Sequence, residues 1–201
     1  MPQALGGYPK PIERVMIFID GGYLRKTYQE VFGDDKIDFL KLVRGLATFY
    51  ESNPYNIFRT DLIRAYYYDA IVREKEPEYE EQRKFFDSVT KGFSITLRLG
   101  ELIKSSKRES RQKGVDILMA IDALSKAYMD HYDTAIFLLG DRDFIPLIEA
   151  VKDSGKKTFG LYYGTMELEG RVRSKVSNEL SKVFDFRLVL TKDILAHWRS
   201  E

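Results

Sequence analysis

Short runs in which consecutive positions are apolar recur along the chain: Val15 to Ile19 (VMIFI), Leu62 to Tyr68 (LIRAYYY), Phe93 to Leu99 (FSITLRL), Thr134 to Leu139 (TAIFLL), Lys157 to Tyr163 (KTFGLYY) and Phe186 to Leu190 (FRLVL). A strand that is apolar at odd and even positions alike has to be covered on both faces. Between these runs the apolar residues switch to helical spacing, at Leu24 to Val31, Phe39 to Tyr50, Tyr79 to Thr90, Val115 to His131, Phe144 to Asp153 and Leu168 to Val183. The alternation predicts an α/β fold, with right-handed crossovers, a mainly parallel central sheet and helices on both of its faces. The pattern occupies residues 15–190, leaving an N-terminal extension over 1–14 and a C-terminal helix over 191–201 that packs on the domain. The charged stretches Val72 to Glu81 and Lys104 to Lys113 read as loops.

A length of 201 residues suits one continuous core, and 44% hydrophobic with 13% aromatic residues is enough to fill it. Lys and Arg number 32 against 31 Asp and Glu, a net charge of +1, so any polyanion has to be held by a local patch. Without cysteine there is no disulfide, thiol nucleophile or thiolate zinc site, and His131 and His197 are too few for an imidazole-rich metal cluster. Metal chemistry would have to use oxygen ligands. The N-terminal MPQALGGYPKPIER lacks the apolar region of a signal peptide, and no stretch is apolar enough to span a bilayer. The chain therefore reads as cytoplasmic, without a membrane partner.

Carboxylates stand where strands end, which in open parallel sheets is where ligands bind. Asp20 follows the first run in Asp-Gly-Gly, Asp141 and Asp143 follow the fourth in Gly-Asp-Arg-Asp, and Asp116 opens the helix behind KSSKRESRQK. A single Asp in such a place is ordinarily an N-cap. Capping does not explain the pair. With Asp143 as the cap the third helical position is Pro146, which has no N–H to donate, so capping accounts for one carboxylate at most.

On a helix advancing about 100° per residue, Asp116 shares a face with Ile117, Ala120, Leu124 and Ala127, while Asp122 lies about 240° round, beside Lys126. Asp122 with Lys126 reads as a solvated ion pair. Asp116, at the margin of the face packed on the sheet, needs a cation, either Lys113 or a metal. Four carboxylates at one sheet edge suit a hard divalent cation, Mg²⁺ or Mn²⁺. Two such ions roughly 4 Å apart would activate a water and stabilise the leaving oxygen during in-line attack on a phosphodiester.

The segments FIDGGYL, QKGVDILMAIDALSKAY and GDRDFIPLIEAVKDSGKKT resemble, in order and spacing, the three signatures of the NYN family (LabA-like), a branch of the PIN-like nucleases. The resemblance runs from about Val15 to about Leu190. It implies a single PIN-like, Rossmann-like domain and a metal-dependent ribonuclease whose catalytic, metal-binding residues are Asp20, Asp116, Asp141 and Asp143. Asp122 also matches a family Asp, which either supports the site from behind or anchors its helix. The chain departs from the family pattern at Gly22, where Asn is usual, and at Leu139, where Ser is frequent. The first departure removes an amide that orients water or substrate.

RNA, single-stranded or structured, is the partner this implies, and a homodimer stays open. Lys104, Lys107, Arg108, Arg111 and Lys113 lead into Asp116 and are candidate phosphate contacts, as is Arg142 between the paired carboxylates. Binding of this kind is salt-sensitive. Tyr23 is either a stacking platform for a base or a core residue at the helix start. Arg171, Arg173 and Lys175, offset by Glu167 and Glu169, read as a plain surface helix, and Tyr66, Tyr67 and Tyr68 as strand packing. A non-catalytic RNA-binding module that keeps the acidic site for a cation is the alternative. A receiver-type phosphoacceptor lacks the Lys it needs after the fifth run, and a haloacid-dehalogenase-like phosphatase lacks Asp-x-Asp after the first.

Overall fold

The computed structural model describes residues 11–52, 58–91, 95–104, 110–166 and 172–200, those at 104, 110–111, 166 and 172–174 by their backbone alone. The strands are β1 (Ile12–Asp20), β2 (Arg59–Ile71), β3 (Ile95–Lys104), β4 (Ser110–Lys113), β5 (Thr134–Leu138), β6 (Lys157–Met166), β7 (Val172–Ser174) and β8 (Phe186–Leu190). They form one eight-stranded sheet in the order β4-β3-β2-β1-β5-β6, with β8 beside β6 along Phe159 to Tyr163. All neighbours are parallel except β4, which turns back on β3, and β7, which turns back on the end of β6. The α/β architecture expected from the sequence is the one the chain adopts.

Why β1 is apolar throughout is visible in how its side chains sort. Val15, Ile17 and Ile19 enter one core cluster, with residues of α1 (Gly21–Phe32), α2 (Phe39–Glu51), α3 (Tyr79–Thr90) and α7 (Lys192–His197). Met16 and Phe18 enter the other, with α4 (Val115–Tyr128), α5 (Ile145–Asp153) and α6 (Asn178–Val183). The period of two along a strand thus feeds two helical layers from one sequence run. Tyr66, Tyr67 and Tyr68 divide the same way, Tyr67 to the first cluster and its neighbours to the second. Among the described residues no helix is long and apolar enough to cross a membrane.

Two expectations need correction. The stretch from Lys104 to Lys113 is not simply a loop: β3 runs to Lys104 and β4 returns from Ser110, pairing Leu102 with Gln112. This second strand occupies the edge that β3 would otherwise leave unpaired. Nor is Leu168 to Val183 one helix. Val172 to Ser174 pairs with Met166 to Gly164, satisfying backbone groups where β6 projects past β5. The helix starts only at Asn178, where the Ser177 hydroxyl accepts the N–H of Leu180 at 3.2 Å.

The chain end closes the first layer. Tyr28 Oη donates to the carbonyl of Leu195 at 2.9 Å, and Trp198 is 4% exposed. Its indole fills the space over Gly45, where an added Cβ would stand 2.3 Å from Nε1. Trp198→Ala should therefore cost about 3–5 kcal/mol by opening a cavity, read as a fall in the urea midpoint at unchanged slope. A loss under about 1 kcal/mol would mean that the C-terminal helix is not part of the core.

Candidate functional site

After β1 the chain enters α1 on one face of the sheet, and after β5 it enters α5 on the other. Because β1 and β5 are neighbours, their departing loops leave a crevice between two strand ends, the usual place for a ligand in an open α/β sheet. A cleft of about 770 Å³ lies there, and its lining includes Asp20, Asp116 and Asp141.

Each carboxylate is set by a local device. Asp20 ends β1 and caps α1, accepting the N–H of Tyr23 at 2.9 Å. Asp141 caps a single 3₁₀ turn over Arg142 to Phe144, accepting the N–H of Asp143 at 2.9 Å. Asp143 therefore caps nothing here; it is exposed and is not part of the cleft lining. Asp116 stands in the first turn of α4, which follows Gly114 at φ 85°, a left-handed turn that a side chain would strain. The buried face of α4 is Val115, Met119, Ala123 and Ala127. The expected phase was off by about 100°: Ile117 is 65% exposed, whereas Asp116, about 100° round from Val115, keeps its place near the margin of the packed face and is exposed.

These acids lack the compensation that others in the fold enjoy. Asp130 and Asp133 share Arg14, Asp130 also meets Lys156, and both are held below the usual carboxylate range by hydrogen bonds to these cations. Asp20, Asp116, Asp141 and Asp143 have no ion-pair partner among the described residues. Burial pushes Asp20 up to about 6, against the opposing Tyr23 N–H, and repulsion from Asp116, Asp69 and Asp141 adds to it. Asp116 is raised for the same reasons, burial first and then Asp141 and Asp143. Among the described residues no three acids or imidazoles stand close enough to enclose a metal ion. The donor set still fits a hard divalent cation that takes one or two carboxylates directly and the remainder through water.

Behind Asp20 lies a paired acid. Asp69 at the end of β2 is fully buried, and Arg25 of α1 donates to it from two nitrogens at 2.8 and 3.0 Å. Tyr23 is a wall of the cleft, pinned at both ends. Its ring lies over Gly140, where a Cβ would come within 2.1 Å, and its hydroxyl accepts the N–H of Tyr163 at 2.8 Å. Asp122 is not a solvated pair with Lys126. It is largely buried, accepts from Arg98 Nε at 2.8 Å and Tyr68 Oη at 3.1 Å as well as from Lys126, and ties α4 to β2 and β3.

Of the expected phosphate contacts, Arg142 lines the cleft and Lys113 is exposed outside its lining. Lys107, Arg108 and Arg171 lie outside the described residues, and Lys104, Arg111 and Arg173 are described by backbone alone. Sequence reading missed Lys26, Gln112 and Lys175, which line the cleft. Lys26 was within reach, since Tyr23, Lys26, Thr27 and Glu30 share one face of α1 at helical spacing. Lys175 was assigned to a surface helix; β7 instead carries the chain back to the cleft, where the ammonium stands 3.3 Å from Glu30 and over the Tyr163 ring.

Residues 14–188 match the family model of the NYN domain. The chain belongs to the NYN domain family. NYN domains are a nuclease-like family, which supports a hydrolase at a coarse level. A crystal structure of a protein of unknown function from Vibrio parahaemolyticus RIMD 2210633 is similar to this NYN domain, with a TM-score of 0.58 and 20% identity over 89% of this chain and 93% of that one. At that identity the likeness speaks for the fold alone. No curated protein matches the sequence.

The raised Asp20 has a measurable consequence in metal-free protein. Folding favours its protonated form, so the stability it contributes is complete below its ordinary value of 3.8 and is lost as pH rises through about 6. Asp20→Asn keeps a competent cap and should abolish that slope. In denaturation series from about pH 4.5 to 7.5 the wild type should lose stability relative to the variant; curves that stay parallel would refute the desolvated carboxyl.

Proposed function

We propose that this NYN domain is a metal-dependent ribonuclease that hydrolyses RNA phosphodiester bonds in the cleft between the ends of β1 and β5. Asp20, Asp116 and Asp141 are the carboxylates that would hold Mg²⁺ or Mn²⁺, one or two of them directly and the rest through water, and Asp143 would add negative charge beside them. The observation that carries this reading is the meeting in one open cleft of three carboxylates, from three separate elements, that have no ion-pair partner among the described residues. A divalent cation bound there would supply charge neutralisation at the phosphodiester and acidify an attacking water.

The protein's own groups do the remaining work. Asp20, Asp116 and Asp141 fix where the positive charge sits, and two of them are held by their own capping bonds to the backbone. Lys26, Arg142 and Lys175 line the cleft and engage the phosphates flanking the scissile one, contacts that position a strand without reading its sequence. The wall made by Tyr23 keeps the strand from sinking between β5 and β6.

A second reading, an RNA-binding module that no longer cuts, is favoured by one observation: no three acids among the described residues enclose a metal ion. End-labelled single-stranded RNA incubated with Mg²⁺, Mn²⁺ or chelator separates the two. The wild type should cut only with metal, and Asp141→Asn, which still caps its turn, should cut at least about a hundredfold more slowly. Equal cutting by both proteins would sink the assignment, and metal-dependent binding without cutting would establish the second reading.

Replacing Lys26 or Lys175 by Ala should weaken RNA binding for all sequences alike and lower the slope of log affinity against log salt by about 0.7 each. An unchanged slope would remove that residue from the phosphate path.

A further inference from the structure

Gln112 is the one neutral amide side chain that lines the cleft among the described residues. It is delivered by β4, opposite Leu102 of β3, and its side chain has no hydrogen-bond partner among the described residues. Its position is defined by what is missing at Gly22. A Cβ built there would stand 2.8 Å from Gln112 Nε2 and 3.4 Å from both Gln112 Oε1 and Asp20 Oδ1. The amide therefore lies against the bare Cα of Gly22, next to the Asp20 carboxylate.

The backbone does not require glycine at this position. Among the described residues the glycines with positive φ are Gly33, Gly114 and Gly155, and Gly22 sits in the first turn of α1 with ordinary dihedrals. In a helix, alanine is the more stable residue. What glycine supplies here is room, and the amide of Gln112 uses that room. A neutral amide beside a carboxylate offers a donor and an acceptor without adding to the repulsion that already raises Asp20.

We infer that Gln112 is a positioning residue of the cleft: seated on Gly22, its amide holds a water or phosphate oxygen beside the Asp20 carboxylate. This rests on the ribonuclease reading above. Glycine at 22 and glutamine at 112 then form one device, although 90 positions separate them in the sequence. Either a methyl group at 22 or an apolar side chain at 112 removes the amide from the same place.

The experiment compares wild type, Gly22→Ala, Gln112→Met and the double variant. Two readouts are taken: RNA cleavage in Mn²⁺, and the rise in melting temperature that Mn²⁺ induces without RNA. Each single variant should lose roughly tenfold to a hundredfold in cleavage, and the double should lose no more than either, because both remove one interaction. All three should show a smaller Mn²⁺-induced rise than the wild type. Gly22→Ala should also melt higher than the wild type without metal, which separates lost positioning from lost folding.

Active wild type with equally active Gln112→Met would overturn the role of Gln112 and leave the nuclease reading standing, as would a double variant whose losses multiply. Wild type that does not cut would overturn the nuclease reading. Gln112 would then be judged on the Mn²⁺ response, a smaller rise in the variants supporting its place and an equal rise overturning it. Neither cutting nor any Mn²⁺ response in the wild type would overturn both.

Discussion

Everything in this domain follows from the requirement that a parallel sheet be covered on both faces. A strand such as β1, apolar at five consecutive positions, cannot leave either side to water. The chain meets the requirement by sending the segment after β1 to one layer and the segment after β5 to the other. Two neighbouring strands whose continuations part company must leave a gap at their carboxyl ends. The cleft is thus a by-product of covering the sheet, and two of the acids at its rim, Asp20 and Asp141, cap the turns at the points where strands give way to helices.

The electrostatic design follows a division of labour between compensated and uncompensated acids. Asp69, fully buried, is held by Arg25, and breaking such a pair leaves a charge stranded in the core. Asp122 draws on Arg98, Lys126 and Tyr68, and is held below the usual carboxylate range by the two cations despite the opposing effect of burial. Asp20, a few residues from Arg25 in sequence, receives only the Tyr23 N–H among the described residues. Among the described residues neither Asp20 nor Asp116 has an ion-pair partner, although the sequence carries 32 Lys and Arg.

The layers and sheet were legible because runs such as VMIFI leave few alternatives: continuous apolarity needs two covers, and the intervening helical spacing supplies them. The carboxylates that line the cleft, Asp20, Asp116 and Asp141, were legible from their position after strands and at a helix start. What sequence could not give was pairing across the chain. The Leu102–Gln112 register, which brings an amide over Gly22, has no local signal, because polar residues such as those of KSSKRESRQK serve a hairpin as readily as a loop. The error in α4 arose from Ile117, which shares a helical stripe with Leu124 but is 65% exposed. Periodicity identifies a helix; it does not say which of two apolar stripes meets the sheet. Val172, Val176, Leu180 and Val183 misled in the same way, since their spacing reads as one helix while the backbone of Val172 pairs with Met166.

Tyr23 gives the two walls of the cleft unequal mechanical character. Its ring presses on Gly140 beyond β5 and its hydroxyl grips the backbone of β6, so α1 is riveted to two strands at once. On the opposite wall, β4 pairs with β3 over four residues. A ligand in the cleft therefore meets an aromatic ring fixed by the backbone of β6 on one side and, on the other, the neutral amide that β4 brings.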